Sequence, residues 1–336
     1  MILKNVTKQF RETSIVVCPI TRRQFRGWLS VMLVMLCLIP VGARGESSEL
    51  FRVGFSKSTF EEVNENDAIA AVRVWSQALV KERGIAADPQ PIIFYSNIEM
   101  AEALTKKTVD CINLTTAEYE ELRGQLVKDC IVLGVLSESI TEEYLLIVHS
   151  KSGIEKLSDL RGRTLGFLQS PRTSLAAVWA DTLLVREGLP PVAEFMGRVF
   201  SETKIGKVIL PVFFRQKDAC VITRKGFDTM IELNPQTGQE LKVLATSPPV
   251  VPMVFCFRND FSLSFREKIL GEITSWHQSP SGRQILTLFQ SDRIEKHPVS
   301  CLDSALEILT AHKKLSGKTA PGQGVRASRD AMRGSQ

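Results

Sequence analysis

The sequence predicts an α/β protein in which largely parallel sheets are covered by helices. Short apolar runs typical of strands alternate with longer segments whose apolar residues recur at helical spacing. This alternation occurs twice, first from residue 50 and again from about residue 158. Polar loops containing Ser, Thr or Asn precede the helical segments, and these residue types favour helix N-termini. Repeated strand–helix–strand units produce a mainly parallel sheet, because the intervening helix returns the chain to the same edge.

The first strand–helix series covers residues 50–146. Asn66 or Asp67 is expected to cap the first long helix. Thr115 and Glu118 stand at capping-box spacing and are expected to open a helix that carries Tyr119. The predicted strands are Phe51–Phe55, Pro91–Tyr95, Val109–Leu114 and Cys130–Leu136, and the predicted helices lie at about 66–84, at 98–105 and from 115 onwards.

A second series follows the apolar strand Glu143–His149, which leaves the first unit. The strand Leu165–Leu168 is followed by a polar loop and then by a helix with apolar residues at helical spacing. Thr173 or Ser174 is expected to be the N-cap of that helix. The further predicted strands are Phe195–Val199, Asp218–Ile222, Leu241–Ala245 and Met253–Phe257, and the further helices lie at about 206–215, 265–276, 282–289 and 302–311.

Length and composition allow two domains of ordinary size. The chain has 336 residues, of which 44% are hydrophobic and 24% charged. The net charge is +5, but residues 1–45 carry +6 and residues 313–336 carry +5, which leaves −6 for residues 46–312. A mildly acidic body argues against nucleic-acid binding. Residues 313–336, rich in Gly and Ser with scattered basic residues, are predicted to be a disordered basic tail.

Residues 1–45 are predicted to be an export signal. The run from Trp28 to Ala43 is apolar, follows three arginines and ends in small residues. Arg22 and Arg23 resemble the paired arginines of the twin-arginine export signal and favour that route, although a basic segment can contain such a pair by chance. Cleavage is expected after Ala43 or Gly45. Retention of the apolar run as a membrane anchor stays open.

Five of the seven cysteines lie beyond the predicted signal. Cys111, Cys220 and Cys256 stand in apolar strand-like runs, where cysteine usually behaves as a small hydrophobic residue. The sequence contains no CxxC motif and no Cys/His cluster. We therefore expect buried free thiols and no metal site.

The loop between the strand Leu165–Leu168 and the following helix is the first candidate site. It carries Arg172, Thr173 and Ser174 at a predicted helix N-terminus. Unpaired backbone N–H groups and the helix dipole favour anions at such a position, and hydroxyl and guanidinium groups add further donors. The combination suits a small oxyanion. An ordinary capped helix is the alternative, since Ser and Thr caps are common.

Three further strand-to-helix loops carry hydroxyl groups or cations. In parallel sheets, ligands bind beyond the carboxyl ends of the strands, so these loops are expected to face one cleft. An anion is the natural ligand of such a set, because arginine can bind an oxyanion through two parallel hydrogen bonds. The residues that the three loops contribute as candidates are Lys57, Ser58, Thr116, Arg224 and Lys225. For the three cations, a solvated surface position is the alternative.

No catalytic arrangement competes with ligand binding. The four histidines are scattered, and none stands beside a nucleophile motif. The sequence has no GxSxG, P-loop or HExxH motif. The adjacent acids Glu142 and Glu143 are interpreted as solvated. We expect that the protein is not an enzyme and uses no cofactor.

Four segments resemble, in order and spacing, periplasmic solute-binding proteins of the phosphate/phosphite/phosphonate ABC transporter type. They are NENDAIAAVRVWSQAL, LTKKTVDCINLTTAEYEEL, EEYLLIVHSKSGIEKLSDLRGRTLGFLQSPRTSLA and QKDACVITRKGFDTM. The resemblance covers most of residues 50–312. It implies the two-lobed type 2 periplasmic-binding-protein fold, with residues 50–146 and 250–312 in the first lobe, residues 147–249 in the second, and a hinge of two crossing strands. Ligand would bind in the cleft as the lobes close.

The resemblance also implies roles for single residues. Tyr119 matches a ligand-contacting tyrosine of the family, while Thr173 and Ser174 match two of its Ser-Thr-Ser oxyanion contacts. Arg172 stands where the family usually has Ser. Thr223-Arg224-Lys225 replaces an acidic stretch that recognises the amino group of aminoalkylphosphonates, so such a ligand is not expected. For Tyr119, a half-buried helix position is the alternative.

The implied function is capture of a small oxyanion outside the cytoplasm, in the periplasm, for an ABC importer. A sensor module of the same fold, which signals to a membrane partner, is the second hypothesis. An enzyme on this fold is the third, and no residues support it. The expected partners are the anionic ligand and a permease or sensor protein, with no nucleic acid, and the protein is expected to be a monomer.

Overall fold

The computed structural model describes residues 50–60, 65–83, 87–88 and 90–318. The predicted export signal and the predicted tail beyond residue 318 lie outside these ranges. Among the described residues, no helix is long and apolar enough to cross a membrane. The body of the chain follows residue 48.

The first sheet has six strands in the order β11-β4-β10-β3-β1-β2 within the described ranges. Strand β1 pairs in parallel with β2 and β3, whereas β10 runs antiparallel to β3 and β4, and β11 runs antiparallel to β4. Four of the six strands therefore share one direction. The strands are β1 Val53–Ser56, β2 Ile92–Phe94, β3 Cys111–Thr115, β4 Ile131–Val135, β10 Met253–Phe257 and β11 Arg293–His297.

The second sheet has five strands in the order β7-β6-β8-β5-β9, again within the described ranges. Strand β6 pairs in parallel with β7 and β8, and β5 runs antiparallel to both β8 and β9. The carboxyl ends of β6, β7 and β8 therefore meet at one edge. The strands are β5 Tyr144–His149, β6 Thr164–Leu168, β7 Arg198–Glu202, β8 Ala219–Thr223 and β9 Leu241–Thr246.

The helices mostly follow the strands and pack on the sheets as α/β layers. Those of the first half are α1 Glu65–Arg83, α2 Asn97–Thr105, α3 Thr116–Leu122, α4 Ala176–Arg186 and α5 Val192–Phe195. Those of the second half are α6 Ile205–Phe213, α7 Arg224–Leu233, α8 Gln236–Glu240, α9 Leu263–Ile273, α10 Pro280–Leu288 and α11 Asp303–Lys318. Thr115 and Glu118 form the capping box that the sequence predicts for α3.

The chain crosses between the sheets twice, before β5 and after β9, and the two crossing segments pair with each other. Glu142 N donates to Val250 O at 2.8 Å, and Val250 N donates back to Glu142 O at 2.9 Å. Next to this bridge, Ser247 N donates to Tyr144 O at 2.8 Å. The connection between the sheets is therefore a short antiparallel ribbon.

Helix α11 packs beside the second sheet, although the sequence places it with the first lobe. Ala305, Ile308 and Leu309 of α11 are buried in the same apolar cluster as Trp179 of α4. Nε2 of His312 in α11 lies 3.2 Å from Oδ2 of Asp181 in α4. The predicted tail is also shorter than expected, because α11 continues through Lys318.

Three further local predictions are wrong. Neither Asn66 nor Asp67 caps α1, because Glu65 already lies in the helix. The predicted strand Phe195–Val199 begins only at Arg198, because Pro191 starts the short helix that ends at Phe195. The edge strand β11 was not predicted, because its sequence RIEKH lacks an apolar run.

Cys111, Cys220 and Cys256 are free and buried, as predicted. Burial raises the pKa of Cys220 to about 12 and raises the pKa of Cys111 and Cys256 well above the ordinary value. Because the thiolate is the reactive form, we expect these thiols to react with an alkylating reagent at least about 100-fold more slowly in native than in denatured protein. Peptide mass spectrometry of a labelling time course measures this, with the half-buried Cys301 as the internal comparison. Rapid native labelling of the three, or a disulfide among them, would contradict the expectation.

Candidate functional site

The loop after β6 folds differently from the predicted helix cap. Pro171–Thr173 form a short 3-10 turn, and α4 begins at Ala176 with Leu175 at the N-cap position. The prediction that Thr173 or Ser174 caps this helix is therefore wrong. The physical reason is local: Thr173 Oγ1 accepts from Ser170 N at 2.9 Å and lies 2.6 Å from Leu168 O, to which it donates.

A cavity of about 490 Å³ lies at the carboxyl ends of β6, β7 and β8. Residues of the loops that follow these three strands line one side, and residues near the first sheet, including Leu136 and Gln290, line the other. Its charged lining residues are Arg172, Lys204, Lys225 and Glu142. We call this cavity the cationic pocket, since its lining includes three cations and one carboxylate.

Arg172 connects the cationic pocket to the crossing ribbon and to the loop after α10. Its Nη1 donates to Glu142 Oε1 at 2.7 Å, and the two side chains are 15% and 7% exposed. Its Nη2 donates to the carbonyl of Gln290, a residue with φ of +49° that follows α10. Tyr144 Oη donates to the Arg172 carbonyl at 3.1 Å and fixes the backbone of the turn. The guanidinium is thus held in place on several sides.

Lys225 supplies a second cation from the first turn of α7. Its Nζ donates to Ser137 Oγ at 2.5 Å, which joins it to the turn after β4. Burial lowers the pKa of the Lys225 ammonium below its ordinary value, and the positive charge of Arg172 lowers it further. Glu142 and Asp292 oppose this shift only in part. An added anion would therefore relieve a local excess of positive charge.

The hydroxyl groups near the first sheet already have partners. Ser58 Oγ donates to Glu118 Oε1 at 3.0 Å, and Ser56 Oγ donates to the same oxygen at 2.5 Å. Thr116 is buried and donates to Val251 O at 2.6 Å. Tyr119 packs in the core below β3, where burial raises its pKa to about 12. The Glu118 carboxylate thus occupies the hydroxyl groups of Ser56 and Ser58, and a backbone carbonyl occupies that of Thr116.

The remaining predicted residues lie apart from the cationic pocket. Lys57 pairs with Glu65 at 2.6 Å, and Arg224 pairs with Glu143, both on the outer surface. Thr173 and Ser174 line a separate depression beside α4, and Ser174 Oγ donates to Pro252 O at 3.1 Å. Of the nine candidates, the structure brings Arg172 and Lys225 together in one cavity.

Two residues of the cationic pocket were missed by the sequence analysis. Glu142 was interpreted as solvated, which is wrong: it is 6% exposed and pairs with Arg172. A pairing across 30 positions has no signature in the local sequence. Lys204 could have been found, because it follows β7 in the same way that Arg172 and Lys225 follow β6 and β8. No group of three or more His, Cys, Asp or Glu among the described residues could hold a metal ion.

Two mixed sheets, each with four strands in one direction and joined by a paired crossing ribbon, are typical of the class of two-lobed solute-binding proteins. The sequence matches the family model described as "ABC transporter, phosphonate, periplasmic substrate-binding protein" over residues 63–298. The chain belongs to this family of periplasmic substrate-binding proteins, which is a transport family rather than an enzyme class. The predicted family and fold class are thereby confirmed. Among curated proteins, none matches the chain.

Solved structures with similar folds include three proteins of low sequence identity. A binding protein component of an ABC phosphonate transporter from Pseudomonas aeruginosa is 13% identical, with 82% of this chain and 90% of that chain covered and a TM-score of 0.54. A Xanthomonas citri protein bound to ATP is 16% identical, with coverages of 80% and 99% and a TM-score of 0.59. PhnD1 from Prochlorococcus marinus, in complex with methylphosphonate, is 16% identical, with coverages of 80% and 99% and a TM-score of 0.53. At these identities the likeness supports the fold alone.

Proposed function

We propose that this protein captures a small oxyanion in the cationic pocket and delivers it to the permease of an ABC importer. The observation that carries the proposal is the convergence of Arg172, Lys204 and Lys225 at the carboxyl ends of three parallel strands. Ligands bind at this edge in open α/β sheets. A site with three cations and one carboxylate favours an anion over a cation or a neutral solute.

The contacts around the cationic pocket give a physical account of closure. Lys225 and Arg172 reach from the second sheet to Ser137 and to the Gln290 carbonyl near the first sheet. An anion that binds both cations would add a charge-assisted contact across the same gap. We propose that the two sheets with their helices are the two lobes, and that they close about the ribbon at Glu142 and Val250. The lobes then present a closed, loaded form to the permease, and the binding protein works as a monomer in the periplasm.

Calorimetric titration of the chain from Glu46 onward tests the proposal. The panel holds phosphate, phosphite, methylphosphonate, methanesulfonate and acetate, with lysine as a cationic comparison. We expect at least one oxyanion to bind with a dissociation constant in the micromolar range or below, and lysine not to bind. Binding by none of the oxyanions, or tighter binding of lysine, would reject anion capture.

Lys225→Met should weaken binding of the best oxyanion in that panel by about tenfold to 100-fold. The reason is the loss of one charge-assisted hydrogen bond, which contributes about 1.5–3 kcal/mol. Arg224→Met is the matched control, because it removes the neighbouring cation from a surface pair with Glu143. The control should bind within about twofold of the unmodified protein, since surface pairs contribute little. Equal losses in the two variants would show that only the overall charge matters and that Lys225 does not contact the anion.

A further inference from the structure

An apolar cavity of about 130 Å³ lies beside the cationic pocket, between the first sheet and its helices. Strand residues line one wall and helix or turn residues line the other. Phe55 of β1 and Phe289 after α10 both line it, and their rings stack with centroids 5.7 Å apart. The aliphatic residues of the wall include Val53, Val72, Val132, Val254, Ile273 and Ile285.

The size of this cavity is unusual for a protein core. Interiors pack as densely as organic crystals, and few natural voids exceed the size of a water molecule. An engineered apolar cavity of about 150 Å³ stays free of water and binds benzene. A cavity of about 130 Å³ therefore suits an apolar group close to the size of one aromatic ring.

One end of the apolar cavity is polar, and it coincides with the cationic pocket. Arg172 and Gln290 line both cavities. Arg172 Nη1 and Nη2 are engaged, but its Nε is buried without a hydrogen-bond partner among the described residues. A buried donor without an acceptor is unfavourable, so an acceptor atom of a ligand at this point would be stabilised.

We propose that the captured ligand is an amphiphilic organic oxyanion with an aryl substituent. The oxyanion binds at Arg172, and the substituent enters the apolar cavity behind it. This inference rests on the proposed capture of an oxyanion and adds the class of substituent. The head group is a phosphonate, a sulfonate or a carboxylate. The titration series includes one aryl ligand of each kind and so distinguishes the three.

The first test is calorimetric titration of the unmodified mature chain with methylphosphonate, phenylphosphonate, benzenesulfonate, benzoate and benzyl alcohol. At least one aryl oxyanion should bind about tenfold or more tightly than methylphosphonate, because burial of apolar area is favourable. Benzyl alcohol, which has the ring without the charge, should bind about 100-fold more weakly than the best aryl oxyanion. Methylphosphonate binding as tightly as every aryl oxyanion would overturn the inference.

The second test fills the cavity. Val72→Phe places a ring on the face of α1 that lines the apolar cavity, whereas Val74→Phe makes the same change at an exposed position of the same helix. Val72→Phe should abolish the preference for the aryl oxyanion and leave methylphosphonate binding unchanged, and Val74→Phe should preserve the preference. A preference that survives in a folded Val72→Phe protein would contradict the inference.

The two proposals fail in different ways. Binding of methylphosphonate without any gain from an aryl group rejects the substituent and leaves anion capture standing. Absence of binding for every anion rejects both proposals. If Val72→Phe does not fold, the titration series with unmodified protein still decides the question.

Discussion

Glu142→Gln is expected to raise the affinity for small oxyanions about tenfold. The Glu142 carboxylate is buried and pairs with Arg172 at 2.7 Å, so it repels an incoming anion and competes for the same guanidinium. A glutamine keeps the shape and still accepts a hydrogen bond from Arg172 Nη1. Removal of one like charge at about 10 Å, at an effective dielectric constant of about 20, is worth roughly 1.7 kcal/mol, or slightly more than tenfold.

Arg172→Met should act in the opposite direction and reduce the affinity by at least about 100-fold. This variant leaves Glu142 buried without its partner, which is expected to cost about 3–5 kcal/mol of unfolding free energy. The double variant Arg172→Met/Glu142→Gln should regain most of that stability, but its affinity should stay at least about tenfold below that of the unmodified protein, because removal of the Glu142 charge does not replace the lost guanidinium contact. Titration calorimetry and urea unfolding of the single and double variants separate the two effects.

Glu143→Gln is the matched control for Glu142→Gln, because Glu143 pairs with Arg224 on the surface. Its anion affinity should stay within about twofold of the unmodified protein. Unchanged or weaker oxyanion binding by Glu142→Gln would reject Arg172 as the anion partner. If Glu142→Gln weakened the binding only of oxyanions that also carry an amino group, the Glu142 carboxylate would instead be the group that recognises the amine.

The fold class follows from the sequence because it depends on local periodicity. The βα alternation predicts two mainly parallel sheets, and strands such as Met253–Phe257 have the bounds that the pattern predicts. The strand β11 has no such signal, since it pairs at an edge and carries charged residues. Helix α11 was assigned to the first lobe, but which cluster it joins depends on contacts with α4 that no local pattern encodes.

The candidate site was predictable where a residue's role depends on its position after a strand. Arg172 and Lys225 follow β6 and β8, and the structure places both in one cavity. The roles of Thr173 and Glu142 depend instead on competing partners. Thr173 Oγ1 bonds to its own loop, and Glu142 pairs with a residue 30 positions away. A hydroxyl or carboxyl group in a sequence carries no sign of whether the folded backbone or another side chain will occupy it.

A large effect on stability is also expected from Asp110→Asn, at about 3–5 kcal/mol of unfolding free energy. Asp110 is 2% exposed and accepts hydrogen bonds from Arg52 Nε at 3.0 Å and from Arg258 Nη2 at 3.2 Å. It also accepts from Arg52 N at 2.8 Å, so it ties the residue before β1 and the residue after β10 to the start of β3. An asparagine leaves two guanidinium groups without their shared counter-ion.

Asp260→Asn is the control for this change, because Asp260 pairs with the same Arg258 but has a side chain that is 42% exposed. Its cost should be about 1 kcal/mol or less. Urea unfolding followed by circular dichroism measures both variants, and oxyanion titration at a temperature where both are folded should give unchanged affinities, since the cationic pocket lies elsewhere. A domain with a total stability of about 5–15 kcal/mol loses a large part of it through Asp110→Asn. Equal losses of unfolding free energy in the two variants would contradict this expectation. The buried ion pairs of Asp110 would then stabilise the fold no more than the exposed pair of Asp260.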